Sequence, residues 1–161
     1  MCYFRGHKLK ETYNLPLGVA QIVGYKSLAW WPGQRVDWPT RRRISAHLRS
    51  PWQHTRWPKN GKITSKLSDH NGIYAFSKLS AAVGYSDWNN VIVQVALTGK
   101  VREYAGNRYS FDPHSGYIAQ RAQITRIICR RQDQVEPVRK VYPDIPVTTL
   151  KEFRAELKAA A

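Results

Sequence analysis

The chain has 161 residues, 42% of them hydrophobic and 12% aromatic, a composition too apolar for a disordered chain and a length that fits one domain. It has no apolar run near 18 residues and only two cysteines, Cys2 and Cys129, so we expect neither a membrane-spanning helix nor a disulfide framework. Lysine and arginine number 26 against 11 acidic residues, a net charge of +15. With so few cysteines, reduced thiols and a cytoplasmic protein are expected. The charge favours binding of a polyanion, either nucleic acid or a ribonucleoprotein, with an acidic protein surface as the alternative.

The positive charge is concentrated towards the amino end. Residues 1–60 contain eleven basic side chains and two acids, a net charge of +9. Residues 30–59, which we call the basic-aromatic segment, hold five of the six tryptophans. Arginine binds phosphates and tryptophan stacks on unpaired bases; alternatively, the tryptophans belong to the core and the arginines lie along their faces. The candidate nucleic-acid contacts are Arg35, Arg41, Arg42, Arg43, Arg49, Trp52, Arg56, Trp57 and Lys59.

Within this segment, residues 40–50 match a short helix with Thr40 as its N-cap and Pro51 after its end. Three consecutive arginines near the start of a helix oppose the helix dipole. A bound polyanion would remove that conflict, so the pattern also favours a binding surface.

The other elements alternate between short strands and short helices. Residues 91–97 form a near-continuous apolar run, typical of a buried strand, which Gly99 interrupts before residues 101–104 continue. The remaining predictions are a strand at 19–26, a polar loop at 59–70, a strand at 73–76, a helix capped by Ser77 and ended by Gly84, a strand at 108–111, a loop at 112–116, a long strand at 117–129 and an irregular connection at 132–146.

A helix ends the chain. Thr149 and Glu152 form a capping-box pattern, and Leu150, Phe153 and Leu157 form one apolar stripe. The sequence therefore predicts an α+β domain over residues 1–146, with a mixed or antiparallel twisted sheet and a few short helices, followed by a C-terminal amphipathic helix over 147–161.

Motifs for phosphate-binding loops, dinucleotide binding, serine hydrolases and zinc ligation are absent from the sequence. The five histidines are scattered and the acids are isolated. We therefore expect no metal and no cofactor.

Residues 71–127 resemble part of the poly(ADP-ribose)-polymerase-type ADP-ribosyltransferases. In that family a Gly-Ile-Tyr strand leads into a small-residue helix that ends in tyrosine, as in residues 71–85, and similar strands follow at 90–99 and 116–127. The resemblance implies an ADP-ribosyltransferase-like fold, with Tyr74 at the position that stacks on nicotinamide. The same residues resemble, more loosely, small proteins of phages and other mobile elements, which by analogy implies action on host nucleic-acid or defence machinery.

The departures from the family are specific. The position of its catalytic glutamate falls on Gly116, and Tyr25 stands near the position of its first-strand histidine. Loss of a charge that faces a developing cation costs several kcal/mol of transition-state stabilisation. Two alternatives to simple nucleic-acid binding therefore stay open: an NAD-dependent ADP-ribosyltransferase-like enzyme that uses Tyr74 and Glu103, and a stoichiometric inhibitor that docks on an acidic protein.

Overall fold

A computed structural model describes residues 8–15, 22–31, 36–37, 42–43, 47–49, 56–67, 71–105 and 115–161. These residues form ten strands and three helices. In chain order they are β1 (Lys8–Leu15), β2 (Ile22–Trp31), β3 (Val36–Asp37), β4 (Arg42–Arg43), β5 (His47–Arg49), β6 (Lys62–Thr64), β7 (Ile73–Phe76), α1 (Leu79–Tyr85), β8 (Asn90–Ala105), β9 (Gly116–Cys129), α2 (Gln132–Val141), β10 (Val147–Thr149) and α3 (Leu150–Ala159).

Eight strands form one sheet built around the long antiparallel pair β8 and β9. The outer edge of β8 pairs with β2 and then β1, and the outer edge of β9 pairs with β7, β6 and β10 in turn. One pair, Tyr25 with Phe76, joins β2 to β7, so the sheet curls back on itself. Because β10 runs parallel to β9 and the other pairs are antiparallel, the sheet is mixed, which confirms the predicted α+β class.

The apolar run of β8 supplies both faces of the sheet. Val91, Val93, Val95 and Leu97 are buried in the larger core cluster, together with Trp57 and the apolar side chains of α2. Ile92 points to the opposite face, where it packs with residues of α1 and α3. Both faces of β8 are therefore covered, which explains why residues 91–97 are apolar at every position except Gln94 instead of alternating.

Gly99 does not end this strand. It adopts a φ of +73°, and the pairing of β8 with β9 shifts register between Thr98 and Val101. A positive φ suits glycine because a Cβ there would be strained. The irregularity lets one strand run from Asn90 to Ala105 where the sequence predicts two pieces.

The helix predicted over residues 40–50 is wrong in the parts that the structure describes. Arg42 and Arg43 form a two-residue strand, and His47–Arg49 is β5, paired with the end of β2. Leu48 pairs with Trp30, and both side chains are buried. The gain from burying this pair outweighs the weak local preference for a helix.

The irregular connection predicted at 132–146 is also wrong, because α2 occupies Gln132–Val141 with Pro137 inside it. The helix persists because it buries Gln134, Val135 and Val138 on one face. Gln134 also accepts a hydrogen bond of 3.1 Å from the backbone N–H of Arg131 at the helix start. Packing and capping together offset the cost of the backbone hydrogen bond that Pro137 cannot donate.

The other two helices lie close to their predicted places. In α1, Lys78 is the N-cap, and the Ser77 hydroxyl instead donates to the carbonyl oxygen of Ser115. At the start of α3 the predicted capping box is present, with Thr149 Oγ1 accepting from the N–H of Glu152 and the carboxylate accepting from the N–H of Thr149. Within the described ranges, no helix has the length and apolar character needed to cross a bilayer.

The polar stretch predicted as a loop at 59–70 contains β6, which pairs with β9. The predicted strand at 108–111 lies outside the residues that the structure describes.

Candidate functional site

The basic-aromatic segment is only partly described. Arg35, Arg41 and Trp52 lie outside the described residues, and Arg42 and Arg43 form β4. The prediction that this segment forms a nucleic-acid-binding surface therefore stays a prediction.

The described end of that segment is tied into the sheet. Arg49 and Arg56 form an isolated antiparallel bridge, while Arg56 and Lys59 have exposed side chains. Trp57 is only 3% exposed and belongs to the larger core cluster. Its indole offers no free face to a base, so of the two interpretations of this tryptophan the structure favours the core.

The residues named for an ADP-ribosyltransferase-like site do not converge. Tyr74 pairs with Ile118, which pairs across the next strand with Arg102. Glu103 pairs one position further along, with Tyr117. Because side chains alternate between the faces of a sheet, Tyr74 and Glu103 point to opposite faces.

Glu103 instead affects Tyr117. Burial raises the pKa of the Tyr117 phenol, and the nearby Glu103 carboxylate raises it further. Gly116 begins β9 in a crowded place, where a Cβ would overlap the carbonyl oxygen of Ala75 and lie 2.6 Å from the hydroxyl of Tyr104. A glutamate therefore does not fit there without movement of the backbone.

A basic groove that the sequence did not single out lies along α3. We call it the α3 groove, and its volume is about 510 Å³. It is lined by Arg130, Leu150, Lys151, Arg154, Ala155 and Lys158. Four of these six side chains are cationic and none is acidic, so the groove attracts anions.

The helix repeat places the cations of α3 together. Lys151, Arg154 and Lys158 are spaced three and four residues apart, which brings them onto one face of the helix. The three side chains are exposed. At 1.5 Å per residue, they span about 10 Å along the helix axis.

The acids of α3 lie elsewhere and have partners. Glu152 closes the capping box at the helix start, and the hydrogen bonds from Thr149 hold the pKa of its carboxyl below the ordinary value. Glu156 forms an ion pair with Arg126 on β9. Neither acid lines the α3 groove, so the groove keeps its charge.

Phe153 anchors the helix that carries these cations. Its ring is buried against the sheet. The centroid of the Phe153 ring lies 6.4 Å from that of Tyr25 and 5.2 Å from the guanidinium carbon of Arg126. Burial of one aromatic side chain stabilises the docked helix by roughly 1.5–3 kcal/mol. Of the predicted apolar stripe, Phe153 therefore fixes the helix against the sheet, whereas Leu157 is 43% exposed.

Arg130, which follows β9, is the groove-lining residue that lies outside α3. One of its Nη atoms donates to the carbonyl oxygen of Val83 at 3.3 Å, to that of Ser86 at 2.6 Å and to the Ser86 hydroxyl at 2.7 Å. These acceptors lie at the carboxyl end of α1, where a cation interacts favourably with the helix dipole. The same guanidinium lies 6.0 Å from the ring centroid of Trp88.

Trp88 and the α3 cations are the residues that sequence reasoning missed. The spacing of Lys151, Arg154 and Lys158 was a usable signal, because it repeats with the period of a helix already predicted there. Trp88 carried no such signal, since its place beside Arg130 depends on how the end of β9 meets the end of α1.

No protein-family model matches this chain, and no curated protein or solved structure shows a significant match to it. The ADP-ribosyltransferase resemblance therefore stays a prediction.

Proposed function

We propose that the protein binds nucleic acid, free or within a ribonucleoprotein, and that the α3 groove contacts the phosphate backbone. The observation that carries the proposal is the lining of that groove, with Arg130, Lys151, Arg154 and Lys158 present and no acid. Basic side chains that contact phosphates release condensed counterions, which favours binding at low and moderate salt. The net charge of +15 steers any polyanion towards the protein.

The spacing of the cations along the α3 groove favours an extended polyanion as the ligand. The cations are distributed over about 10 Å of helix, and Lys151, Arg154 and Lys158 are all exposed. A single small anion would need only part of this row, whereas a nucleic-acid backbone presents successive phosphates. Arg56 and Lys59 are exposed and flank Trp57, which belongs to the larger core cluster. Their charges add to the general attraction of the protein for polyanions.

The test is a titration of labelled single-stranded and duplex oligonucleotides, of both DNA and RNA, followed by fluorescence anisotropy at several salt concentrations. The variant Lys151→Gln/Arg154→Gln/Lys158→Gln removes three charges from the α3 groove. For a single strand, the slope of log K against log salt should fall in magnitude by about 2, and affinity at 0.1 M salt should fall roughly 100-fold.

The matched control removes the same charge elsewhere. Lys62, Lys66 and Lys140 are exposed and do not line the groove, so Lys62→Gln/Lys66→Gln/Lys140→Gln should leave the slope nearly unchanged. Equal weakening by the two triple variants would refute the α3 groove as the contact. Absence of binding by the wild-type protein at low salt would refute nucleic-acid binding itself, and would favour an acidic protein as partner.

A further inference from the structure

Trp88 is the most exposed of the large apolar side chains that the structure describes. It is 63% exposed, while Val23, Leu157 and Tyr85 lie between 38% and 46%. An isolated exposed apolar residue is common in soluble proteins and needs no functional explanation by itself. The surroundings of Trp88 distinguish it.

The turn that carries Trp88 is held at both ends by side chains from the end of β9 and from α2. Arg130 binds the carbonyl and hydroxyl oxygens of Ser86, on one side of the tryptophan. On the other side, Arg131 donates to Asn89 Oδ1 at 2.8 Å, and Gln134 Nε2 donates to the Asn89 carbonyl oxygen at 3.2 Å.

A backbone hydrogen bond closes the turn, from the N–H of Asn90 to the carbonyl oxygen of Asp87 at 3.0 Å. Two consecutive arginines and a glutamine thus hold Ser86 and Asn89, which lie on either side of one exposed indole. Less conformational entropy remains to be lost when a ligand contacts the ring, so the position is preorganised for binding.

Arg130 connects the indole to the α3 groove. Its guanidinium lies 6.0 Å from the Trp88 ring centroid and is also part of the groove lining. A strand whose phosphates lie along α3 therefore has an aromatic ring next to its path. Aromatic rings beside a basic groove are the usual arrangement in proteins that bind single strands, because every base has a face that can stack.

We propose that Trp88 stacks on an unpaired base of a single strand whose backbone lies in the α3 groove, so that the protein prefers single-stranded to duplex nucleic acid. This inference rests on the proposed function and deepens it by naming the class of ligand. A duplex keeps its bases stacked on each other and offers Trp88 no free face, but its phosphates still reach the cations.

The experiment compares Trp88→Ala and Trp88→Phe with the wild type on a 12-nucleotide single strand, a duplex of the same sequence and an abasic strand of the same length. Trp88→Ala should lose about 5- to 150-fold in affinity for the single strand, the range expected for one stacked base. Trp88→Phe should recover part of that loss, because a smaller ring still stacks. Affinities for the duplex and the abasic strand should not change.

Val23→Ala is the matched control, since it truncates another exposed apolar side chain that does not line the groove. It should bind all three probes as the wild type does, and thermal unfolding should show that each variant is folded. Equal loss of affinity for the strand with bases and for the abasic strand would overturn the stacking role. So would a Trp88→Ala variant that binds the single strand normally.

The two proposals fail in different ways. If Trp88→Ala has no effect but the triple α3 variant weakens binding to every probe, the stacking inference is wrong and nucleic-acid binding stands. If the wild-type protein binds none of the probes, the proposed function fails first.

Discussion

The phenol of Tyr142 donates a hydrogen bond of 2.8 Å to the carbonyl oxygen of Trp57, 85 residues earlier in the chain. The phenol oxygen of Tyr142 in turn accepts a hydrogen bond of 3.2 Å from the backbone N–H of Leu48. Tyr142 lies just after α2 and is buried. One hydroxyl thus attaches β5 and the Trp57 segment to the core.

Tyr142→Phe should therefore destabilise the protein. The substitution removes the acceptor of the Leu48 N–H and the donor to the Trp57 carbonyl oxygen. An unsatisfied buried polar group costs about 1–3 kcal/mol. Urea unfolding should show a lower midpoint with an unchanged m value. A loss below about 0.5 kcal/mol would mean that the hydroxyl is not structurally important.

Two glycine substitutions should have opposite effects. Gly84 lies in α1, and a Cβ there meets nothing within 4 Å, so Gly84→Ala should stabilise the protein by about 0.5–1 kcal/mol. Gly116→Ala should destabilise it by roughly 1–3 kcal/mol, because its Cβ would overlap the carbonyl oxygen of Ala75. Thermal unfolding of both variants measures the difference, and a stable Gly116→Ala protein would contradict the crowding at the start of β9.

Cys129 should not react with thiol reagents in the folded protein. Its side chain is fully buried, and burial raises the pKa of the thiol from 9.0 to about 12. The thiolate is the reactive form, so little of it exists at pH 8. In a Cys2→Ser variant, Ellman's reagent should detect no thiol at pH 8 and one thiol after unfolding in guanidinium; rapid reaction of the folded protein would contradict this burial.

The raised pKa of Cys129 also predicts that the free energy of unfolding falls at alkaline pH. Because the pKa of Cys129 is higher in the folded chain than in the unfolded chain, its contribution is complete below about pH 9 and is lost as the pH rises towards 12. Chemical unfolding between pH 8 and pH 11 should show a steeper loss of stability for the wild type than for Cys129→Ala. Equal slopes would refute the contribution of this thiol.

The cap at the start of α3 can be tested by substitution of Thr149. Thr149→Ala removes the side chain that caps the helix, and should cost about 1 kcal/mol in urea unfolding. The same substitution at Thr64, an exposed position in β6, should stay within about 0.5 kcal/mol of the wild type. A smaller effect at Thr149 than at Thr64 would contradict the capping role.

The contribution of Glu152, which completes the capping box with Thr149, can be tested at acid pH. The pKa of Glu152 is lowered by its hydrogen bonds with Thr149, so its contribution is present above its ordinary pKa of 4.5 and is lost as the pH falls. Stability should therefore decline less between pH 6 and pH 3 in Glu152→Gln than in the wild type.

Much of the fold was accessible from the sequence where local pattern and final environment agree. The apolar run at 91–97 became the centre of β8, and the capping box at Thr149 became the start of α3. Prediction failed where distant contacts overrode a local preference. Residues 47–49 were expected in a helix, but pairing with β2 buries Leu48 beside Trp30. Pro137 indicated an irregular segment, but one buried face keeps α2 helical.

The candidate site was predicted less well than the fold. A count of tryptophans and arginines drew attention to residues 30–59, yet Trp30 and Trp57 are buried. The α3 groove combines Arg130 with side chains twenty and more residues later, and Trp88 comes from a turn that Arg130 holds. A pattern with one fixed period detects neighbours on the same element, so it could have indicated the cations of α3 but neither Arg130 nor Trp88.

The amino-acid sequence by itself determined the net charge, the apolar segments that must be buried and the capping of the last helix, because these depend on composition and on neighbours within a few residues. Only the tertiary structure decided which cations share a surface, and that Trp88 is exposed whereas Trp30 and Trp57 are buried. Those outcomes depend on strand register and helix docking, which bring residues together over long distances in the chain. A charge attracts a phosphate wherever it lies, but a groove forms only where the folded elements place several charges side by side.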